Sequence, residues 1–130
     1  MNFDCPCCGY RTLTSRYETD TCFLCLWEDD LVSDLNQYEV VGGPNDDYSL
    51  SEARENFIKY LVMYRPSDPR FLIYKSDIID SKKKTVICIY DQLNETMDVV
   101  KKRTLIEEIK KYKKEIKEEI NKNWNKYNVS

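Results

Sequence analysis

The sequence predicts an α+β fold, a small N-terminal β-hairpin of the zinc-ribbon kind packed with a mainly helical C-terminal half. Three observations lead there. Two Cys-x-x-Cys pairs, Cys5/Cys8 and Cys22/Cys25, stand near the N-terminus; a Gly42-Gly43-Pro44 breaker follows; and apolar residues then recur at three- and four-residue steps. Residues 1–47 are expected to form a cysteine-rich segment with an acidic loop. Residues 48–130 are expected to form a mainly helical segment making one compact domain with the first.

A Cys-x-x-Cys pair wraps one tight turn around an edge of a metal ion, and two such edges complete a tetrahedral four-thiolate site suited to structural zinc. Cys5, Cys8, Cys22 and Cys25 are therefore the expected ligands of one Zn2+. In Cys5-Pro6-Cys7-Cys8-Gly9, Pro6 sets one φ angle, and Gly9 can take the positive φ that aims backbone N–H groups at sulfur. Cys7 fills an x position and is not expected to ligate. Two other chemistries use such cysteines. A disulfide framework needs an oxidising compartment, yet Met1-Asn2-Phe3-Asp4 has no basic-then-apolar character. A redox-active dithiol normally sits between a strand and a helix of a parallel sheet, and no such unit is signalled here.

Composition narrows the function. The chain has no histidine, so the commonest general base and the usual open-site zinc ligand are both missing. A four-cysteine site has no vacant position for substrate, and a non-enzymatic role follows as the expectation. No apolar run approaches the roughly eighteen residues of a membrane span, and a cytoplasmic protein is expected. Net charge is −3, but residues 1–50 hold ten Asp/Glu against Arg11 and Arg16, a balance of −8, whereas residues 98–130 balance at +4. Four thiolates around a dication would add a further negative charge. The cysteine half should thus repel phosphate backbones, which makes nucleic acid an unfavourable partner for it.

Along the chain, the Thr, Tyr, Arg and Ser content of residues 10–21 favours an antiparallel hairpin carrying the two metal turns at its ends. Trp27 can cover the site or serve as a binding anchor, and Glu28, Asp29 and Asp30 form either a solvated turn or a patch for a basic partner. Ser49-x-x-Glu52 is a capping box opening a helix whose apolar positions, Leu50 to Tyr64, run until Pro66. Residues 71–97 read as strand or helix, with helix favoured, and Cys88 within them reads as a core thiol. Thr104-x-x-Glu107 is a second capping box. Leu105, Ile109, Tyr112, Ile116, Ile120, Trp124 and Tyr127 then form a stripe whose eleven-residue repeat indicates a straight helix packed on its own chain, with a Lys/Glu-rich opposite face.

The run Cys5-Pro6-Cys7-Cys8-Gly9, the pair Cys22-x-x-Cys25 followed by Trp27-Glu28-Asp29-Asp30, then Gly43-Pro44-Asn45 and Ser49-Leu50-x-Glu52-Ala53-Arg54-x-Asn56-Phe57 resemble the bacterial cysteine-rich CPCC family over residues 5–71. The resemblance implies a zinc-ribbon-like site, no known activity, and small stand-alone proteins, some near toxin-immunity loci. The chain departs from short members in its lysine-rich C-terminal extension and in Phe23, where a proline often stands. The expected function is a protein–protein interaction module, monomeric, with an immunity or inhibitor role against a basic toxin. Trp27, Glu28, Asp29 and Asp30 are its candidate contact residues. The alternatives are a regulatory zinc ribbon touching nucleic acid through the Lys-rich terminal helix, and a thiol-dependent redox enzyme using Cys7 or Cys88.

Overall fold

The computed structural model describes residues 1–128. Its helices are α1 (Leu31–Leu35), α2 (Leu50–Tyr60), α3 (Phe71–Tyr74), α4 (Asp77–Glu95) and α5 (Val99–Asn128), with one 3-10 turn at Gly43–Asn45. The expected β-hairpin is absent, and the α+β class is corrected to a mainly helical chain with loops. Pairing among the described residues is reduced to two isolated antiparallel bridges, Phe3 with Leu13 and Thr21 with Glu28. The cause lies in side chains that take the backbone donors a ladder would need. Asp20 accepts from the Thr14 N–H at 2.7 Å, and Asp29 accepts from the Tyr17 N–H at 2.6 Å. Tyr17 and Thr19 then turn through positive φ, which no extended strand tolerates.

The chain forms two compact units, Met1–Phe71 and Leu72–Ser130. In the first, α2 starts as its capping box predicts, with Ser49 accepting from the Glu52 N–H at 3.1 Å. It stops earlier than Pro66 would dictate, because Leu61 turns left-handed (φ 61°) and its N–H caps the Phe57 carbonyl at 2.8 Å. Asn56 holds the exit by donating to the Met63 carbonyl at 2.8 Å.

Beyond α2, two arginines tie the loop around Tyr48 to the loop around Asp68. Arg65 grips both oxygens of Glu52 (2.8 and 2.7 Å), reaches Asp47 at 2.8 Å and lies 4.1 Å over the Tyr48 ring. Arg70 grips Asp68 (3.1 and 2.8 Å), reaches Asp46 at 2.8 Å and covers Tyr64. Tyr48 is buried between them; its hydroxyl donates to Asp68 at 2.8 Å and accepts from the Arg65 N–H at 2.9 Å. Burial, with the Asp68 carboxylate adding to it, pushes the phenol up to about 12. Burial opposes charge on Asp68, but its hydrogen bonds from Arg70 outweigh this and hold it at about 2.

The second unit is a helical hairpin. Ser76 caps α4 by accepting from the Ile79 N–H at 3.2 Å, and Asp77 and Asp80 in the first turn complement the helix dipole. The ambiguous residues from 77 to 95 are therefore helical. Ile79, Val86, Ile89 and Tyr90 of α4 and Leu105, Ile109, Ile116 and Ile120 of α5 are buried as the two helices pack together. Lys82 pairs with Glu115 at 2.8 Å, the Asn123 amide donates to the Ile73 carbonyl at 3.0 Å, and Tyr74 meets Trp124 edge to face. Each pair is nearly equidistant from the 96–98 turn, as an antiparallel hairpin requires. The eleven-residue stripe thus packs within the chain from Leu105 to Ile120, with Tyr112 and Trp124 half-buried, while Tyr127 at its end is exposed. Cys88 stands two residues, about half a turn, from Val86 and is exposed, so its expected role as a core thiol is corrected.

The second capping box is also corrected. Thr104 lies inside α5, donating to the Val100 carbonyl at 3.2 Å, while Asp98 caps the helix by accepting from the Val100 and Lys101 N–H groups at 2.9 and 3.3 Å. Asp98→Ala should therefore cost about 1 kcal/mol, read as faster native-state hydrogen exchange at the start of α5, whereas Thr104→Ala should stay within ~0.5 kcal/mol. Tyr48 supplies a pH signature. Its folded pKa lies above the ordinary 10, so its contribution is complete below pH 10 and is lost as pH rises through about 12. A phenolate absorbance step near pH 12 should vanish in Tyr48→Phe, and the fall in unfolding free energy from pH 10 to 12 should flatten with it.

Candidate metal centre

The two Cys-x-x-Cys turns are built alike. In the first, the Gly9 N–H donates to the Cys5 carbonyl (2.8 Å) and the Cys5 N–H to the Tyr10 carbonyl (2.8 Å). In the second, Leu26 donates to the Cys22 carbonyl (2.9 Å) and Cys22 to the Trp27 carbonyl (2.9 Å). The residue after each second cysteine is left-handed, Gly9 at φ 82° and Leu26 at φ 72°. Leu26 has no glycine freedom and carries the conformation at a cost of about 1 kcal/mol. The isolated bridges close one turn each, Phe3 with Leu13 outside the first and Thr21 with Glu28 outside the second.

These turns bring the sulfurs of Cys5, Cys8, Cys22 and Cys25 within 4.8 Å of one another. Two edges that join the turns, Cys5–Cys25 and Cys8–Cys22, are 3.6 Å. A tetrahedron with metal–sulfur bonds of 2.3 Å has edges of about 3.8 Å, so the cluster fits one metal ion with little adjustment. No disulfide joins the four; Cys5, Cys22 and Cys25 are buried and Cys8 half-buried. Cys7 is buried outside the group of four, as its x position implies.

The surroundings favour negative sulfur. The Thr12 hydroxyl, itself buried, donates to Cys22 Sγ at 3.0 Å; the Cys25 N–H points at the same sulfur, and the Trp27 N–H at Cys25 Sγ, both at 3.5 Å. Burial opposes charge on Cys22, but hydrogen bonds from the neighbouring thiols outweigh it, and Cys22 ionises well below the ordinary thiol range. Burial pushes Cys25 well up, and its hydrogen bond to Cys22 adds to that. Without a cation the cluster thus stabilises charge on Cys22 at its neighbours' expense. A bound dication would let all four ionise, with release of protons.

The rest of the first unit clamps both turns. Arg54 of α2 donates to the Pro6 carbonyl at 2.8 Å, and the Met63 N–H after α2 donates to the Cys25 carbonyl at 2.9 Å. Asn45 pairs with the Glu28 backbone as a strand would, accepting its N–H at 3.0 Å and donating to its carbonyl at 2.8 Å. Thr12 was not singled out from sequence, and Asn45 and Arg54 entered only as letters of the family-like motif, with no contact assigned; a polar residue in a loop, beside a breaker or inside a helix announces no long-range bond.

Of the candidate contact residues, Trp27 is 1% exposed, a cover for the second turn. Asp29 is 0% exposed, its carboxylate held by Arg16 at 2.9 Å and by the Tyr17 N–H. Asp30 caps α1 through the Ser33 N–H at 3.2 Å, and Glu28 is half-buried, its pKa raised by burial and by Asp46. Two of the four therefore retain surface.

These features define a class, the small cysteine-rich proteins in which two matched turns bring four sulfurs close enough to hold one metal ion. The Cysteine-rich CPCC family model matches residues 3–69, and the chain belongs to that family. Comparison with curated proteins and with solved structures finds no match.

Each of Cys5→Ser, Cys8→Ser, Cys22→Ser and Cys25→Ser should lower metal content below one equivalent per chain, measured by elemental analysis after reducing purification. Cys7→Ser and Cys88→Ser should keep one equivalent. Thr12→Val, which removes the hydroxyl from Cys22, should weaken metal affinity roughly 10- to 100-fold in a chelator competition.

Proposed function

We propose that this chain is a non-catalytic zinc-binding protein that works as an interaction module for a basic protein. The observation that carries the reading is the four-sulfur cluster: four soft donors within 4.8 Å of one another favour zinc, and four protein ligands leave it no position for substrate. The sequence supplies no histidine as base, and the exposed thiol of Cys88 lies in the other unit. Charge supports the choice of partner. Residues 1–71 carry thirteen Asp/Glu against six Lys/Arg, a balance of −7 before the metal centre adds its own negative charge. An immunity or inhibitor role fits the same chemistry, since an acidic protein can occupy the surface with which a cationic toxin grips nucleic acid.

A second reading rests on α5, where Lys101, Lys110, Lys111, Lys114 and Lys117 are exposed. It would make the chain a zinc protein that touches nucleic acid through that helix.

Native mass spectrometry of the chain drawn from its own cells under reducing conditions separates the readings. The expected species carries one zinc and a basic protein whose affinity falls roughly tenfold or more from 50 to 300 mM salt. A metal-free chain, or one carrying nucleic acid that Lys110 and Lys114 substitutions release, would overturn the proposal.

A further inference from the structure

We propose that α1 and the turn after it dock a basic amphipathic helix of the partner protein against an apolar face made by Leu31, Val32, Leu35 and Tyr38. This rests on the interaction-module reading and names its surface. The carrying observation is that α1 is inverted. Its polar side chains face the protein: Ser33 is 1% exposed and donates to Asp30 at 2.8 Å, and Asp34 accepts from Arg16 and from the Tyr17 hydroxyl, both at 3.2 Å. Its apolar side chains face water. Leu31 is 43% exposed, Val32 53%, Leu35 74% and Tyr38 85%.

A short helix usually turns the other way, and an apolar face left in water costs solubility unless something covers it. Here the outward orientation is locked. The Gln37 side chain accepts from Arg54 at 2.7 Å and its carbonyl accepts from the Ser51 N–H at 2.9 Å. The Asn36 and Glu39 N–H groups continue the coil by donating to the Val32 and Asn36 carbonyls at 3.1 and 3.0 Å. Rolling α1 to bury its leucines would break the Asp34 bonds to Arg16 and Tyr17 and strain the Gln37 bonds to α2.

Charge selects the occupant. Residues 17–53 contain ten Asp/Glu and no Lys or Arg. Arg16, Arg65 and Arg70 neutralise Asp29, Asp34, Asp46, Asp47 and Glu52, but Glu18, Glu28, Asp30 and Glu39 enter no ion pair among the described residues. An apolar strip with acidic flanks is complementary to a helix with an apolar stripe between lysines or arginines, the helix-on-face mode of recognition. Anionic lipid and nucleic acid are repelled by the same flanks. A second copy offering the same face would bring like charges together.

The test uses the full zinc-loaded chain and two synthetic helical peptides of one pattern, Leu/Lys and Leu/Glu, followed by fluorescence anisotropy. The Leu/Lys peptide should bind saturably and the Leu/Glu peptide should not. The double variant Leu35→Ser/Tyr38→Ser, which leaves every charge in place, should weaken binding roughly tenfold or more while zinc content and thermal midpoint hold. Ile58→Ser, at an exposed apolar residue of α2, should leave binding unchanged. Equal binding by the double variant and the parent would overturn the docking face while leaving the acidic module standing. Failure of the Leu/Lys peptide and of basic proteins generally to bind would bring down the module reading itself. A concentration-dependent dimer in sedimentation that the double variant abolishes would assign the face to a second copy and overturn the proposal.

Discussion

Four sulfurs held within 4.8 Å of one another are the constraint on which the first unit depends. Sulfurs so close and so buried cannot all carry charge without a cation, and the chain supplies only a hydroxyl and backbone N–H groups to soften the repulsion. A metal ion would convert that local frustration into folding free energy. Apart from that, residues 1–30 are held by a few buried side chains, Leu13, Leu24 and Trp27 among them, and by the clamps from Arg54, Met63 and Asn45. Two isolated bridges and a few carboxylate-to-backbone bonds do not replace a sheet, and the hydrophobic core of a 71-residue unit is small.

The arginines of this unit serve its interior more than its surface. Arg16 neutralises buried Asp29, Arg54 holds the first metal turn to α2, and Arg65 and Arg70 bind two loops across Tyr48. Each guanidinium spent this way leaves the remaining carboxylates without a counter-charge. The acidity of the unit is therefore not spread evenly. Among the described residues it stays uncompensated at Glu18, Glu28, Asp30 and Glu39, on either side of the second metal turn, while Arg16 takes up Asp29 and Asp34.

The metal group was legible in the sequence because a Cys-x-x-Cys pair is a local geometric statement: four residues define each turn, and the pairing of turns needs no knowledge of what lies between them. The start of α2 was legible for the same reason, since Ser49 and Glu52 complete their bond within one turn. What failed depended on competition. Residues 10–21 have strand propensity, but Asp20 and Asp29 outbid a strand partner for their N–H groups, and the second carboxylate is remote in sequence. Thr104 and Glu107 have the right spacing for a cap, yet Asp98 caps six residues earlier, and a helix once started does not stop for a threonine. The end of α2 was misplaced because a left-handed leucine, unlike a glycine, gives no signal in the sequence. The candidate contacts were read as one run from Trp27 to Asp30, while alternate residues of that run face inward.

The four-sulfur cluster and the exposed face of α1 belong to one mechanical piece. The Trp27 backbone N–H points at the Cys25 sulfur, Asp29 ties the next turn to Arg16, and Asp30 caps α1, so only a few residues of continuously bonded chain separate Cys25 from Leu31. Arg54 contacts the first metal turn with one nitrogen and Gln37, just beyond α1, with another. A metal ion held by the four sulfurs would, in such an arrangement, help to set the position of a short helix that is too brief to be stable alone. The inverted orientation of that helix is then a property of the folded unit, available only when both metal turns are in place.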